Sequence, residues 1–136
     1  MTLFRILRRD ERGVAVIEIA IILPVLILFI YGIFQIGILY QANAGMQHAL
    51  GEGARFATLC MSPDPCENPT ETQVQTRINA NVFGTNPGTF AVPLPTTVNG
   101  IMILRVNYSQ QMNFLLFPGP TVNLSRQKVV YLAPTV

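Results

Sequence analysis

The chain has 136 residues, of which half are hydrophobic and only 12% are charged. This length allows one small domain beside one membrane segment, and so few charges are unusual for a soluble domain. The formal charge of +2 belongs to the residues up to Gly13, because the remainder contains equal numbers of basic and acidic residues. A formally neutral remainder argues against a nucleic-acid-binding protein.

A long apolar run begins at Val14 and continues to Tyr40. As a helix it would measure roughly 40 Å, more than the ~30 Å hydrocarbon core of a bilayer requires. The arginines before it are expected to stay in the cytoplasm. The sequence therefore predicts a cytoplasmic leader at 1–13, a transmembrane helix at 14–40 and an exported domain at 41–136.

Two residues interrupt this run. Glu18 is costly to place in lipid, and such a carboxylate usually marks a function and a specific partner. If the chain is cut after Gly13, Val14 gains a free ammonium roughly 6 Å along the helix from Glu18, so neighbouring chains could pair amine with carboxylate. Pro24 removes the hydrogen bond to the Ala20 carbonyl, which predicts either a functional kink or an ordinary membrane-helix proline.

The pattern of a glycine, four apolar residues and a glutamate, preceded by arginines, resembles the type IV prepilin cleavage site. The continuation to GEGARFATL resembles the narrower TadE-like family of the tight-adherence (Flp-type) pilus system. Pilin subunits of that system typically carry tyrosine where this chain has Ile19, which favours a minor pilin over the major one. The matching residues are Gly13, Glu18, Pro24, Gly32, Glu52, Gly53, Ala54 and Arg55.

This resemblance implies a minor pilin or pseudopilin that prepilin peptidase cuts between Gly13 and Val14. The implied partners are that peptidase, other pilin and minor-pilin subunits, the inner-membrane assembly platform and the lipid bilayer. The implied location is the bacterial inner membrane, crossed once with the C-terminal domain in the periplasm, or the extracellular pilus after assembly. Glu18, Pro24, Glu52 and Arg55 are the candidates for contacts between subunits.

Beyond Tyr40 the helical pattern becomes two-sided, so one face should cover a core and the other should meet water. The helix is predicted to run unbroken from about Val14 to Leu59. Three glycines at positions 45, 51 and 53 either weaken it or permit close approach of neighbouring helices. The apolar face contains Leu39, Met46, Leu50, Ala54 and Ala57, and the polar face contains Gln41, His48, Glu52 and Arg55.

Cys60 and Cys66 flank a proline-rich turn on the predicted exported side, where a disulfide is favoured over two free thiols or redox chemistry. A second helix is predicted from a cap at Asn68, with Pro69 and Glu71 in its first turn, to a stop at Gly84. Its apolar stripe contains Val74, Ile78 and Val82.

The clearest strand is Ile101–Ser109, where apolar and polar residues alternate. A partner strand is predicted at 122–131, a loop at 118–120, and a short edge piece at 90–94 limited by prolines. The apolar cluster at 114–117 is interpreted as core packing or as an exposed subunit contact. The predicted fold class is α+β and pilin-like, with an antiparallel sheet of two to four strands packed on the second half of the long helix.

No catalytic pattern stands out. The single histidine, His48, lies on the polar helix face without a ligand set, and there is no nucleophile motif or phosphate loop. We therefore expect no enzyme activity, cofactor, metal, nucleic acid or small-molecule substrate.

Two rival interpretations exist. One is a signal-anchored inner-membrane protein with a periplasmic binding domain, and the other is a secreted protein cut after Ala44, where Ala42 and Ala44 form an AxA site. The apolar run is roughly twice the usual length for a signal peptide. The mature N-terminus distinguishes the three, since it would be Val14 for a pilin, Met1 for the anchored protein and Gly45 for the secreted one.

Overall fold

The computed structural model describes residues 11–62, 66–84, 86–114 and 117–133. A long helix, a short helix and an antiparallel sheet follow one another along the chain, and a disulfide lies between the two helices. This order confirms the predicted α+β class. The elements are α1 (Glu11–Ala57), α2 (Glu71–Ala80), β1 (Thr89–Ala91), β2 (Thr96–Val98), β3 (Ile101–Phe114) and β4 (Phe117–Tyr131).

Helix α1 carries both the apolar run and the two-sided segment in one uninterrupted element, as predicted, and it continues through Pro24. It begins before Gly13 rather than at Val14. At its other end, the Thr58 hydroxyl donates to the Arg55 carbonyl at 2.9 Å, which satisfies one of the carbonyls left free in the last turn. The cleavage site predicted at Gly13 therefore lies within helical backbone.

Strand β3 is the centre of the sheet. Strand β4 pairs along one edge of it, and β1 and β2 pair in succession along the other, all antiparallel. The β2–β3 connection is Asn99–Gly100, with φ angles of 51° and 75°, a pair that suits a tight hairpin turn. Strand β2 was not predicted, although this Asn-Gly pair is a hairpin signal that could have indicated it.

Two strand boundaries differ from the prediction. The edge piece expected at 90–94 is β1, which ends at Ala91 before the prolines. The loop expected at 118–120 instead lies within β4, where Pro118 is opposite Asn113. A proline is tolerated there because β4 pairs on only one side among the described residues, so one of its edges needs no N–H donor.

The core lies between the inner face of β3 and the second half of α1. The predicted alternation is confirmed, since every second residue of β3 from Met102 to Tyr108 is buried. Helix α2 contributes two buried side chains to this core, Val74 and Ile78. The buried apolar residues are Ala42, Met46, Ala49, Leu50, Ala54, Ala57, Val74, Ile78, Met102, Leu104, Val106, Tyr108 and Val130.

Helix α2 starts and stops at other residues than predicted. Its N-cap is Thr70, which forms a capping box with Gln73, and not Asn68. The Asn68 amide instead donates to the Ala133 carbonyl at 3.1 Å. The Glu71 carboxylate is not part of the box, because it accepts the Thr97 N–H at 2.8 Å and thereby joins α2 to β2.

The C-terminal end of α2 is also earlier than predicted. The helix ends at Ala80, and the Asn81 side-chain amide donates to the Arg77 carbonyl at 2.8 Å. Gly84 lies beyond this cap, with a φ of 78°. The polar cap, rather than the glycine, therefore ends the helix.

The disulfide between Cys60 and Cys66 is confirmed, with a Cα–Cα distance of 5.1 Å. It closes the connection between the two helices beside a backbone hydrogen bond of 2.8 Å from Met61 N–H to the Glu67 carbonyl. Residues 63–65 of the predicted turn lie outside the described residues.

The helical glycines differ in what surrounds them. A Cβ at Gly45 would overlap the Phe83 carbonyl oxygen, and one at Gly53 would overlap the Ile78 side chain. Gly51 has open space around it. Two of the three glycines therefore allow α1 to approach α2 and the segment that follows it.

We expect Gly53→Ala to lower the free energy of unfolding by about 1 to 3 kcal/mol, because the added methyl would displace Ile78. Gly51→Ala is the matched control, and it should raise stability by up to about 1 kcal/mol through helix propensity. Urea unfolding of the full chain in detergent, followed by circular dichroism, measures both. Equal effects of the two substitutions would contradict a close approach at Gly53.

Candidate assembly surface

The N-terminal half of α1 is an apolar rod with little cover. From Gly13 to Ile30 every side chain except Leu28 is exposed. The helix is long and apolar enough to cross a membrane. Side chains of this kind need lipid or other apolar helices around them, because exposed apolar surface is unfavourable in water.

Glu18 lies on this rod. It is the only acidic residue between Gly13 and Tyr40, a stretch that the structure describes throughout. It is exposed, and its neighbours Ile17 and Ile19 are exposed apolar residues. Within the described part of the chain no basic group forms an ion pair with it. A partner for this carboxylate would therefore have to come from another molecule.

The rod ends at Gln35, the first helix residue whose side chain is buried and hydrogen-bonded to the sheet. Only 4% of Gln35 is exposed, although it belongs to the run predicted to cross the membrane as far as Tyr40. Its Nε2 donates to the Asn113 carbonyl at 3.0 Å, and its Oε1 accepts from Gln110 Nε2 at 3.1 Å. The two-sided part of α1 thus begins earlier than the sequence predicted.

The network extends into the core through Tyr108, whose hydroxyl donates to Gln110 Oε1 at 2.6 Å. Burial raises the pKa of this hydroxyl, while a hydrogen bond with the Gly88 backbone acts in the opposite direction. The hydroxyl is protonated at neutral pH, as that of an ordinary tyrosine is, so it can donate to Gln110. A ring contact with Phe90, with centroids 4.7 Å apart, holds the tyrosine in place.

Glu52 joins the two helices at the other end of α1. Its carboxylate lies 3.7 Å from an Arg55 nitrogen and 3.8 Å from an Arg77 nitrogen, the latter on α2. Both arginines are exposed, so each pair contributes at most about 1 kcal/mol. Arg77 was not anticipated, because a sequence pattern within one helix cannot indicate a partner on another.

The matched stretch of sequence coincides with this helix. Residues 13–55 match the family model described as TadE-like protein. The predicted resemblance is confirmed for this segment, which extends from Gly13 through Glu18 and Gln35 to Arg55. Searches of curated proteins and of solved structures found no match to the chain.

The TadE-like segment implies a role in the tight-adherence pilus system. It contains nearly all of α1, whereas α2 and the sheet lie outside it. The family pattern is therefore a property of the helix, including both its apolar rod and the face that packs on the sheet.

The structure brings together only some of the predicted site residues. Glu52 and Arg55 are adjacent, but Glu18 and Pro24 lie far along the helix from them, on the apolar rod. His48 is exposed, with its ring 5.6 Å from that of Phe83. In the described ranges no cluster of three His, Cys, Asp or Glu side chains could hold a metal ion.

The amide network was missed by sequence reasoning. Gln35 is the only amide side chain between Val14 and Tyr40, so a signal existed in the run itself. Its partners on β3 are distant in the chain, and no local pattern connects them to it.

Replacing Gln110 with alanine should lower the free energy of unfolding, because it leaves the buried Gln35 carbonyl oxygen without its donor and the Tyr108 hydroxyl without its acceptor. Each unpaired group costs about 1 to 3 kcal/mol. The control is Gln111→Ala, which removes the same type of side chain from the next residue of β3, on the exposed face of the strand. Urea unfolding in detergent compares them, and equal stabilities would show that the network contributes nothing.

Proposed function

We propose that this chain is a minor pilin or pseudopilin of the tight-adherence pilus system, cut by prepilin peptidase after Gly13 and assembled through α1. The proposal has no catalytic role for the chain, which acts as a substrate and a building block. The observation that carries it is the TadE-like match, which begins at Gly13 and includes an exposed Glu18 without a partner in the described chain.

Before assembly, the apolar rod would hold the protein in the inner membrane. From Val14 to Phe34 the helix measures about 32 Å, close to the ~30 Å hydrocarbon core. Gln35 would then lie at the outer boundary, where its amide is already hydrogen-bonded by the sheet. This arrangement puts the folded domain outside the hydrocarbon core without exposing the amide to lipid.

Cleavage would convert Val14 into a chain terminus with a positive charge. Glu18 lies roughly 6 Å further along the helix. When rods pack side by side, the ammonium of one subunit can meet the carboxylate of the next at a small axial offset. An ion pair at ~4 Å in an environment of low dielectric is much stronger than in water, so this contact can set the register between subunits.

Shape would contribute the rest of the specificity. Apolar helices gain no hydrophobic free energy when they exchange lipid contacts for contacts with other helices. Close packing and polar pairs therefore decide which helices associate. Gly32 and Gly37 lie on the rod and its continuation, and Gly37 has open space around it. Such positions allow another helix to approach closely.

Processing is tested with Gly13→Val. A side chain before the cut should block the peptidase, so the chain recovered from the membrane would keep its first 13 residues. Gly37→Val is the matched control, because it makes the same change at an open site of the same helix. Mass spectrometry of both variants reads the mature N-terminus. Loss of residues 1–13 from the Gly13→Val protein would show that the cut does not depend on glycine, which would contradict cleavage by prepilin peptidase. An intact Met1 in the wild type would favour the signal-anchored alternative.

Assembly is tested separately with Glu18→Gln. The amide is nearly the same size, so insertion and cleavage should be unchanged. Stranding the Val14 ammonium in an apolar bundle, however, costs about 3 to 5 kcal/mol, so copurification with other pilus subunits should be lost. Glu18→Asp keeps the charge with a shorter reach and should be intermediate. Normal cleavage together with wild-type piliation in Glu18→Gln would contradict the pairing.

A further inference from the structure

The free end of the β3–β4 hairpin points toward the apolar rod. A Cβ at Gly53 would lie 3.6 Å from Leu104, near the start of β3, whereas Gln35 contacts Asn113 near its end. Strand β3 therefore runs antiparallel to α1. The last residues of β3 are therefore at the end of the sheet nearest the apolar rod. Phe114 is paired with Phe117 at this end of the hairpin.

The rod is partly covered on the face that carries Gln35. Between Gly13 and Phe34 only three residues are half-buried, namely Leu28, Tyr31 and Gly32. They precede Gln35 by seven, four and three residues, so all three lie on its face of the helix. These half-buried positions lie within about 10 Å of Gln35 along the rod.

The end of the hairpin has an unusual composition for a surface in water. No charged residue occurs from 106 to 125. Phe117 is 54% exposed, and its ring lies 5.3 Å from that of Phe114. The charged side chains of the sheet that the structure describes are all in the opposite half of the hairpin, namely Arg105, Arg126 and Lys128.

The backbone at this end is also suited to an environment with little water. Pro118 and Pro120 have no N–H groups, so β4 presents fewer unpaired donors along its free edge. The Asn113 carbonyl, next to the irregular pairing at Gln111, is satisfied by the Gln35 amide. Unpaired donors and acceptors are the main cost of placing a strand near lipid, and here several are removed.

We propose that Phe114 and Phe117, the paired residues at the end of β3 and the start of β4, lie in the outer interfacial layer of the bilayer, beside α1, as a second lipid contact of the folded domain. The lipid surface is the occupant that fits, because the site is uncharged, exposed and continuous with the apolar rod. The inference rests on the proposed membrane insertion of α1. A contact at two points would limit both tilt and rotation of the domain, and it would have to be released when the subunit leaves the membrane.

Single tryptophans test this contact, since the chain contains none. Phe117→Trp reports on the hairpin end, and Phe114→Trp repeats the measurement from the other strand. Tyr131→Trp is the control at the far end of β4, where the side chain is also exposed. Phe29→Trp reports on insertion of the rod itself. The full-length protein is reconstituted in vesicles of phosphatidylcholine and phosphatidylglycerol, with or without bromine on the acyl chains.

We expect brominated lipid to quench Phe29→Trp and Phe117→Trp, with a blue-shifted emission for both. Tyr131→Trp should be quenched by aqueous iodide and not by lipid. Quenching of Phe29→Trp alone would overturn the hairpin contact and leave the membrane anchor in place. No lipid quenching of Phe29→Trp would refute insertion, and the hairpin contact with it.

Two further outcomes would also overturn the proposal. Lipid quenching at Tyr131→Trp as well as at Phe117→Trp would mean that the whole sheet lies on the membrane, so the contact would not be specific to the hairpin end. Protection of Phe117→Trp from both lipid bromine and iodide, increasing with protein concentration, would assign this surface to contact between chains.

Discussion

The packing of β3 on the second half of α1 is the interaction on which the described structure depends. One continuous helix has to satisfy two surroundings, an apolar medium along its first half and a protein core along its second. Met46, Leu50 and Leu104 form part of that core, and the network of Gln35 and Gln110 marks the point where it begins. Because Gln35 is buried by the sheet, the transition between the two environments occurs within a few residues.

The two halves of α1 also differ in whether their polar and apolar side chains find partners within the described chain. In the domain, Glu52 has arginine neighbours and the buried amides are hydrogen-bonded to one another. On the rod, Glu18 and the surrounding apolar side chains remain exposed. The proposed function, in which the subunit is first held in lipid and later packed among other helices, accounts for such a surface. The TadE-like match covers both regions, which is consistent with a helix that has to serve in both settings.

The buried faces were predicted correctly where apolar residues recur at a regular short spacing along the chain. The alternation from Met102 to Tyr108 and the spacing from Met46 to Ala57 each predicted a buried face, and the structure confirms both. Sequence reasoning was less successful where a choice between nearby residues depended on hydrogen-bond geometry. Thr70 rather than Asn68 caps α2, since its side chain accepts from Gln73, and Pro118 was assigned to a loop although an edge strand tolerates it.

The sequence by itself determined the long helix, the fold class, the disulfide and the TadE-like segment, because each depends on residues close together in the chain or on a local pattern. Only the tertiary structure decided that Gln35 meets Gln110, that Glu52 reaches Arg77, and that the Asn113 carbonyl near the end of the hairpin accepts from Gln35. These contacts join residues separated by 75, 25 and 78 positions, and their existence depends on how the sheet and the short helix are oriented on the long helix. That orientation is set by packing of the whole core, which no local spacing encodes.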